Sequence, residues 1–82
     1  KKMIKKMIIF RDLDKIKKFV KEAEKTNFNI DISHGNITVD GKSLIGILAM
    51  DLSRPVKGLF YADESQVTEF LQRVKSFIYV ID

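Results

Sequence analysis

Four side chains in this 82-residue chain have the type and setting to do chemistry: Ser43, His34, and the carboxylates of Asp12 and Asp14. Ser43 stands in Asp40-Gly41-Lys42-Ser43-Leu44-Ile45-Gly46-Ile47-Leu48-Ala49-Met50, where it opens a short predicted helix that is apolar almost all round. A serine in that place has two compatible uses. Its hydroxyl can cap the helix by accepting from a free amide of the first turn, and it can accept a phosphoryl group. A phosphate there would add about −1.5 to −2 charges at a helix start, where amides and dipole favour an anion. A helix in a small domain buries only one stripe of its surface. Leu44, Ile47 and Leu48 are expected to point inward together, leaving Ile45 and Met50 near water. Leu44, Ile45 and Met50 are therefore either ordinary core or an apolar docking bump beside a modifiable hydroxyl. Gly46 points to a close approach, either to the sheet or to a partner, since a mid-helix glycine otherwise costs about 1 kcal/mol.

The other candidates are plainer. Asp12 precedes an amphipathic segment and fits an N-cap; the sharper alternative is a fixed negative charge that a partner reads at that helix end. His34, the chain's one histidine, falls in His34-Gly35-Asn36, which is turn chemistry, with no arginine or carboxylate placed to activate it. No pair of histidines at metal-ligand spacing, nucleotide-binding glycine loop or Ser-His-Asp set is present, so neither an enzyme, a metal nor a cofactor is expected.

The elements that must position these residues follow from periodicity. Met7-Ile8-Ile9-Phe10 reads as a strand, although Lys-Lys-Met-Ile-Lys-Lys-Met-Ile before and within it also has helical spacing. From Asp12 to about Thr26, Leu13, Ile16, Val20 and Ala23, with Phe19 beside them, give one helical stripe. Phe28, Ile30 and Ile32 alternate with polar residues as a strand, and Ile37 and Val39 return from the turn as its hairpin partner. The Ser43 helix ends near Leu52, Ser53-Arg54-Pro55 breaks it, and Val56–Tyr61 is the fourth strand. Asp63 or Ser65 starts a last helix with the stripe Val67, Phe70, Leu71, Val74, Phe77 and Ile78. The order β-α-β-β-α-β-α predicts an α+β open-faced β-sandwich: a four-stranded antiparallel sheet with three helices on one face.

The length reads as a single domain, 1–82, with one thin core. The net charge of +4 is uneven: residues 1–25 hold ten Lys/Arg against Asp12, Asp14, Glu22 and Glu24. That excess is read as a solvated face carrying i,i+4 pairs such as Asp14–Lys18 and Lys18–Glu22, because no aromatics alternate with the lysines as a stacking platform for nucleic acid would need. There is no cysteine, no apolar run near the roughly 20 residues that span a bilayer, and no secretory-signal pattern. A cytoplasmic location is the expectation.

At Lys42-Ser43-Leu44-Ile45-Gly46-Ile47 and Phe60-Tyr61-Ala62-Asp63 the chain resembles the histidine-containing phosphocarrier protein (HPr) family of the bacterial sugar phosphotransferase system. The resemblance runs from Ile30 to Val74 without a gap and continues over the first third by pattern. It implies that Ser43 occupies the position phosphorylated by an ATP-dependent HPr kinase, the modification through which the family addresses a transcriptional regulator in carbon catabolite control. The family also has Gly-(Ile/Leu)-His-Ala-Arg-Pro at the first helix, its histidine accepting phosphate and its arginine steadying it. Here the run is Phe10-Arg11-Asp12-Leu13-Asp14-Lys15. Asp12 falls at the expected phosphohistidine position and Asp14 at that of the arginine. An imidazole nitrogen is nucleophilic near neutral pH and gives phosphate up readily, whereas Asp14 beside Asp12 would repel an incoming phosphoryl group. The resemblance thus implies a non-catalytic, HPr-like regulatory module that binds a protein, similar to the catabolite-repression homologue of HPr. The alternatives are an HPr-type docking module without phosphorylation, or a binder of nucleic acid or membrane surfaces through the basic first 25 residues.

Overall fold

The computed structural model describes residues 2–81; Lys1, the first residue of the basic run, lies outside them. In chain order the elements are β1 (Ile4–Ile9), α1 (Leu13–Ala23), β2 (Ile30–His34), β3 (Ile37–Asp40), α2 (Leu44–Leu48), β4 (Val56–Phe60), α3 (Glu64–Val74) and β5 (Tyr79–Ile81). The strands form one antiparallel sheet in the order β3-β2-β4-β1-β5. The α+β open-faced sandwich is as expected, but the sheet has five strands, not four.

The fifth strand has its origin at the end of α3. Phe77 and Ile78 extend the helical stripe in sequence, yet the helix stops at Val74, and the amides of both residues donate to the Val74 carbonyl at 3.0 and 3.1 Å. That turn releases Tyr79-Val80-Ile81, three good strand formers, which pair with Ile9, Ile8 and Met7. Ile78 is buried in the turn as it would be in a helix, so periodicity alone does not separate the two. The ambiguous opening resolves for a related reason. β1 begins at Ile4 rather than Met7 because β4 pairs with it from Ile4 to Ile8 while β5 takes the other side; pairing overrides a pattern that fits either period.

Strand alternation sorts the sheet into two faces. Ile8, Ile30, Ile32, Val56 and Phe60 are buried towards the helices, with Phe60 opposite both Ile4 and Ile30. α1 buries Ile16, Phe19, Val20 and Ala23 onto this face, and α3 buries Val67, Phe70 and Val74. The Phe70 ring meets Phe19 edge-on at 5.5 Å and Phe60 at 5.7 Å, so one aromatic joins both helices to β4. Leu13, expected in the α1 stripe, is about half exposed instead. At that end the core is filled by Phe10, whose ring meets Phe19 edge-on at 5.1 Å. Gly35 takes a φ of 62° in the β2–β3 turn, where a side chain would be strained. No helix among the described residues is long and apolar enough to cross a membrane.

Candidate functional site

The start of α2 is built by three hydrogen bonds that turn the chain out of β3. The Gly41 amide donates to the Ile30 carbonyl at 2.7 Å, the Lys42 amide to the Asp40 carboxylate at 2.9 Å, and the Ser43 amide to the Asp40 carbonyl at 3.0 Å. Ser43 is left extended, with φ −108° and ψ 107°, and its Oγ accepts from the Gly46 amide at 3.1 Å. The expected cap is present, on a half-buried hydroxyl. A β-carbon on Gly46 would lie 3.1 Å from Val39 Cβ and 3.2 Å from Ser43 Oγ. The close approach that the glycine permits is therefore to β3 and to the cap.

Only Ile47 of α2 is fully buried. Ile45 is 83% exposed, as expected for the apolar bump. The rest of the expected face is redistributed. Met50 is 7% exposed and belongs to the core, so it cannot present its side chain to a partner; Leu48, expected inside, is 43% exposed. Leu44 is half-buried and packed against the core. The helix ends at Leu48, and Met50, beyond it, is free of the helical phase that would have carried it outward. With Ser43 as cap, Ile45 and Leu48 stand three apart on one face; that spacing was the signal for Leu48. The surface feature is thus Ser43 beside an Ile45–Leu48 ridge.

The front of α1 is chemically different. Asp12 caps the helix through the Lys15 amide at 2.9 Å and also holds Lys15 Nζ at 3.2 Å. The backbone bond first, then the lysine, hold its carboxyl below the usual carboxylate range. Asp14 pairs with Lys18 at 3.4 Å, as expected. Both carboxylates are engaged by lysines of their own helix. Glu22 departs from expectation: it pairs with Lys25 at 3.1 Å and Arg73 at 3.2 Å rather than with Lys18, tying α1 to α3. His34 closes β2 opposite Ile37. Its charge adds a small part to the lowering of the Asp51 carboxyl, which is due first to bonds from the Ser53 hydroxyl and amide at 2.6 and 3.1 Å. Among the described residues no hydrogen bond joins His34 to Asp12, Asp14 or Ser43.

No family model matches the chain, and no curated protein matches it in sequence. In fold it is similar to the crystal structure of HPr-C-His from Thermoanaerobacter tengcongensis, with a TM-score of 0.70 and 23% identity over 93% of each chain. It is equally similar to a phosphocarrier protein HPr from Bacillus anthracis str. Ames, with a TM-score of 0.70 and 20% identity over 95% of this chain and 99% of that one. These likenesses establish an HPr-like fold.

Proposed function

We propose that this HPr-like protein is a regulatory binding module, related to the sugar phosphotransferase system, that docks a protein partner on the Ile45–Leu48 ridge and is switched by phosphorylation of Ser43. The observation that carries the reading is the start of α2. A capping hydroxyl lies two residues from an isoleucine that is 83% exposed, and burying such a side chain against a partner is favourable by roughly 1.5–3 kcal/mol. In the modification, Ser43 Oγ attacks the γ-phosphorus of ATP; the O–P bond forms as ADP leaves, and the hydroxyl proton passes to the kinase. The new anion would sit beside the ridge, a composite surface suited to a partner with a basic, apolar-edged face. Phosphocarrier chemistry has no support at the front of α1, where Arg11-Asp12-Leu13-Asp14 offers two lysine-paired carboxylates and no imidazole.

Incubation with an HPr kinase and ATP tests the switch. One phosphate is expected, and Ser43→Ala should abolish it; no incorporation refutes regulation at Ser43. Phosphoenolpyruvate with enzyme I should leave the chain unlabelled. Partner binding should be lost in Ile45→Asp and change little with salt, whereas a steep loss between low and moderate salt would assign binding to the lysine-rich surface instead.

A further inference from the structure

The α1–β2 loop and α3 stand on either side of a cleft of about 450 Å³, a size that falls within the roughly 300–1,000 Å³ of small-molecule sites. Lys25, Thr26 and Phe28 line it from the loop, and Gln66, Glu69 and Arg73 from α3. Both walls are fixed from behind. The Thr26 hydroxyl donates to the Ala23 carbonyl at 2.8 Å, with the Phe28 carbonyl at 3.2 Å, and Lys42 Nζ donates to the Thr26 carbonyl at 3.3 Å. On the other side the Arg73 guanidinium lies over the Phe70 ring, 5.7 Å from its centre, and its Nε donates to Glu22 at 3.2 Å. A planar guanidinium held in this way is positioned before any ligand arrives.

The charges of the cleft come in two unequal pairs. Glu22, largely covered, holds both Arg73 and Lys25, the latter at 3.1 Å. Two cations thus share one inner carboxylate, and their remaining N–H donors can meet a second anion. Glu69 is the outer carboxylate; its side chain is 78% exposed and only 3.8 Å from Arg73, so it can meet a cation. The four charges cancel, which favours neither a plain anion nor a plain cation. A ligand with both signs fits, and the short separation of Arg73 and Glu69 requires its two charges to be close together, as they are on an α-carbon. Gln66 gives its side-chain oxygen to the Asp63 amide at 3.1 Å and keeps its NH2 group uncommitted among the described residues. Phe28, half-buried, is the one ring in the lining.

We infer that this cleft is a binding site for a free aromatic α-amino acid. Its carboxylate would bond Lys25, Arg73 and the Gln66 NH2, its ammonium would pair with Glu69, and its ring would pack on Phe28. The site shares no residue with the Ser43–Ile45 surface and does not rest on the function proposed for it.

The probe is phenylalanine, titrated into the whole chain at neutral pH with chemical shifts as the readout. Shifts are expected at the amides of Thr26 and Phe28 and at Arg73 Nε. Phenylpropionate, which lacks the ammonium, phenethylamine, which lacks the carboxylate, and alanine, which lacks the ring, should each bind more weakly. Glu69→Gln, an exposed change, should weaken phenylalanine by roughly 2- to 5-fold and leave phenylpropionate no weaker. Lys25→Met should weaken phenylalanine and phenylpropionate together and leave phenethylamine unchanged. Phenylpropionate or phenethylamine binding as tightly as phenylalanine would make this a site for a single charge and overturn the assignment. Equal binding of alanine, or no shift up to the solubility of phenylalanine, would overturn it as well.

Discussion

Asp12 and Ser43 each accept a hydrogen bond from the amide three residues on, at 2.9 and 3.1 Å, so α1 and α2 begin in the same way. Past their caps the two helices differ. α1 has 11 residues and buries four of them, and Glu22 ties its far end to Arg73 of α3. α2 has five residues and buries one. A helix of five residues does not persist on propensity; packing of Ile47, the Ser43 cap and the contact of Gly46 with β3 must hold it. A charge added at the front of α1 therefore meets a rigid element already neutralised by its own lysines. The same charge at the front of α2 meets an element whose position rests on a few contacts. That contrast makes α2 the better place for a switch.

The contrast is broken most directly at Ile47. Truncation of this fully buried side chain should cost about 2–5 kcal/mol in denaturant unfolding, the range for buried isoleucine-to-alanine changes. Leu13→Ala on the exposed first turn of α1 should stay within about 0.5 kcal/mol. If Ile47→Ala is as mild as Leu13→Ala, α2 is held by something other than its one buried residue.

Gly46→Ala sharpens the point. Alanine in a helix is normally favoured over glycine by about 1 kcal/mol, but here its β-carbon would crowd Val39 Cβ at 3.1 Å and the capping Oγ at 3.2 Å. Overpacking at about 1–3 kcal/mol offsets that gain, so a net loss of about 0–2 kcal/mol is expected. Adding Val39→Gly, which removes the crowded β-carbon, should recover part of it as a coupling energy in a double-mutant cycle. Additive losses would show that the crowding lies elsewhere. A comparable effect is expected at the cap: Ser43→Ala should cost about 0.5–2 kcal/mol, and Ser43→Asp, which still caps, should restore stability.

Much of this arrangement was legible in the residues, and the exceptions have physical causes. The alternation of Ile30 and Ile32, the turn at Gly35-Asn36 and the caps at Asp12, Ser43 and Asp63 are local signals and stand where expected, whereas Phe28 precedes the strand and His34, expected in the turn, is the last residue of β2, held there by pairing with Ile37. Asp63 even completes a reciprocal capping box with Gln66. β5 was hidden because Phe77 and Ile78 keep helical phase with Val74 while already turning towards a strand whose partner lies some seventy residues away in sequence. Met50 and Leu48 exchanged roles because the end of α2 is set by tertiary packing, and a helix boundary moved by a few residues reassigns every side chain beyond it.

The smallest expected effect concerns the cap of α1 and runs through pH. The carboxyl of Asp12 is held below the usual range near about 4, chiefly by the Lys15 amide and then by Lys15 Nζ. A group with a depressed folded-state pKa adds stability above its unfolded pKa and loses it as pH falls through the folded value. In Asp12→Asn the amide still caps but does not titrate. The wild-type advantage over this variant should be small at neutral pH, should shrink as pH falls below about 5, and should vanish only below the depressed folded-state value. Ser43→Asn provides the contrast. Neither the hydroxyl nor the amide ionises in that window, so its difference from wild type should not follow the titration of a cap. Parallel pH profiles for the two variants would mean that the fronts of α1 and α2 do not differ in charge as their caps imply.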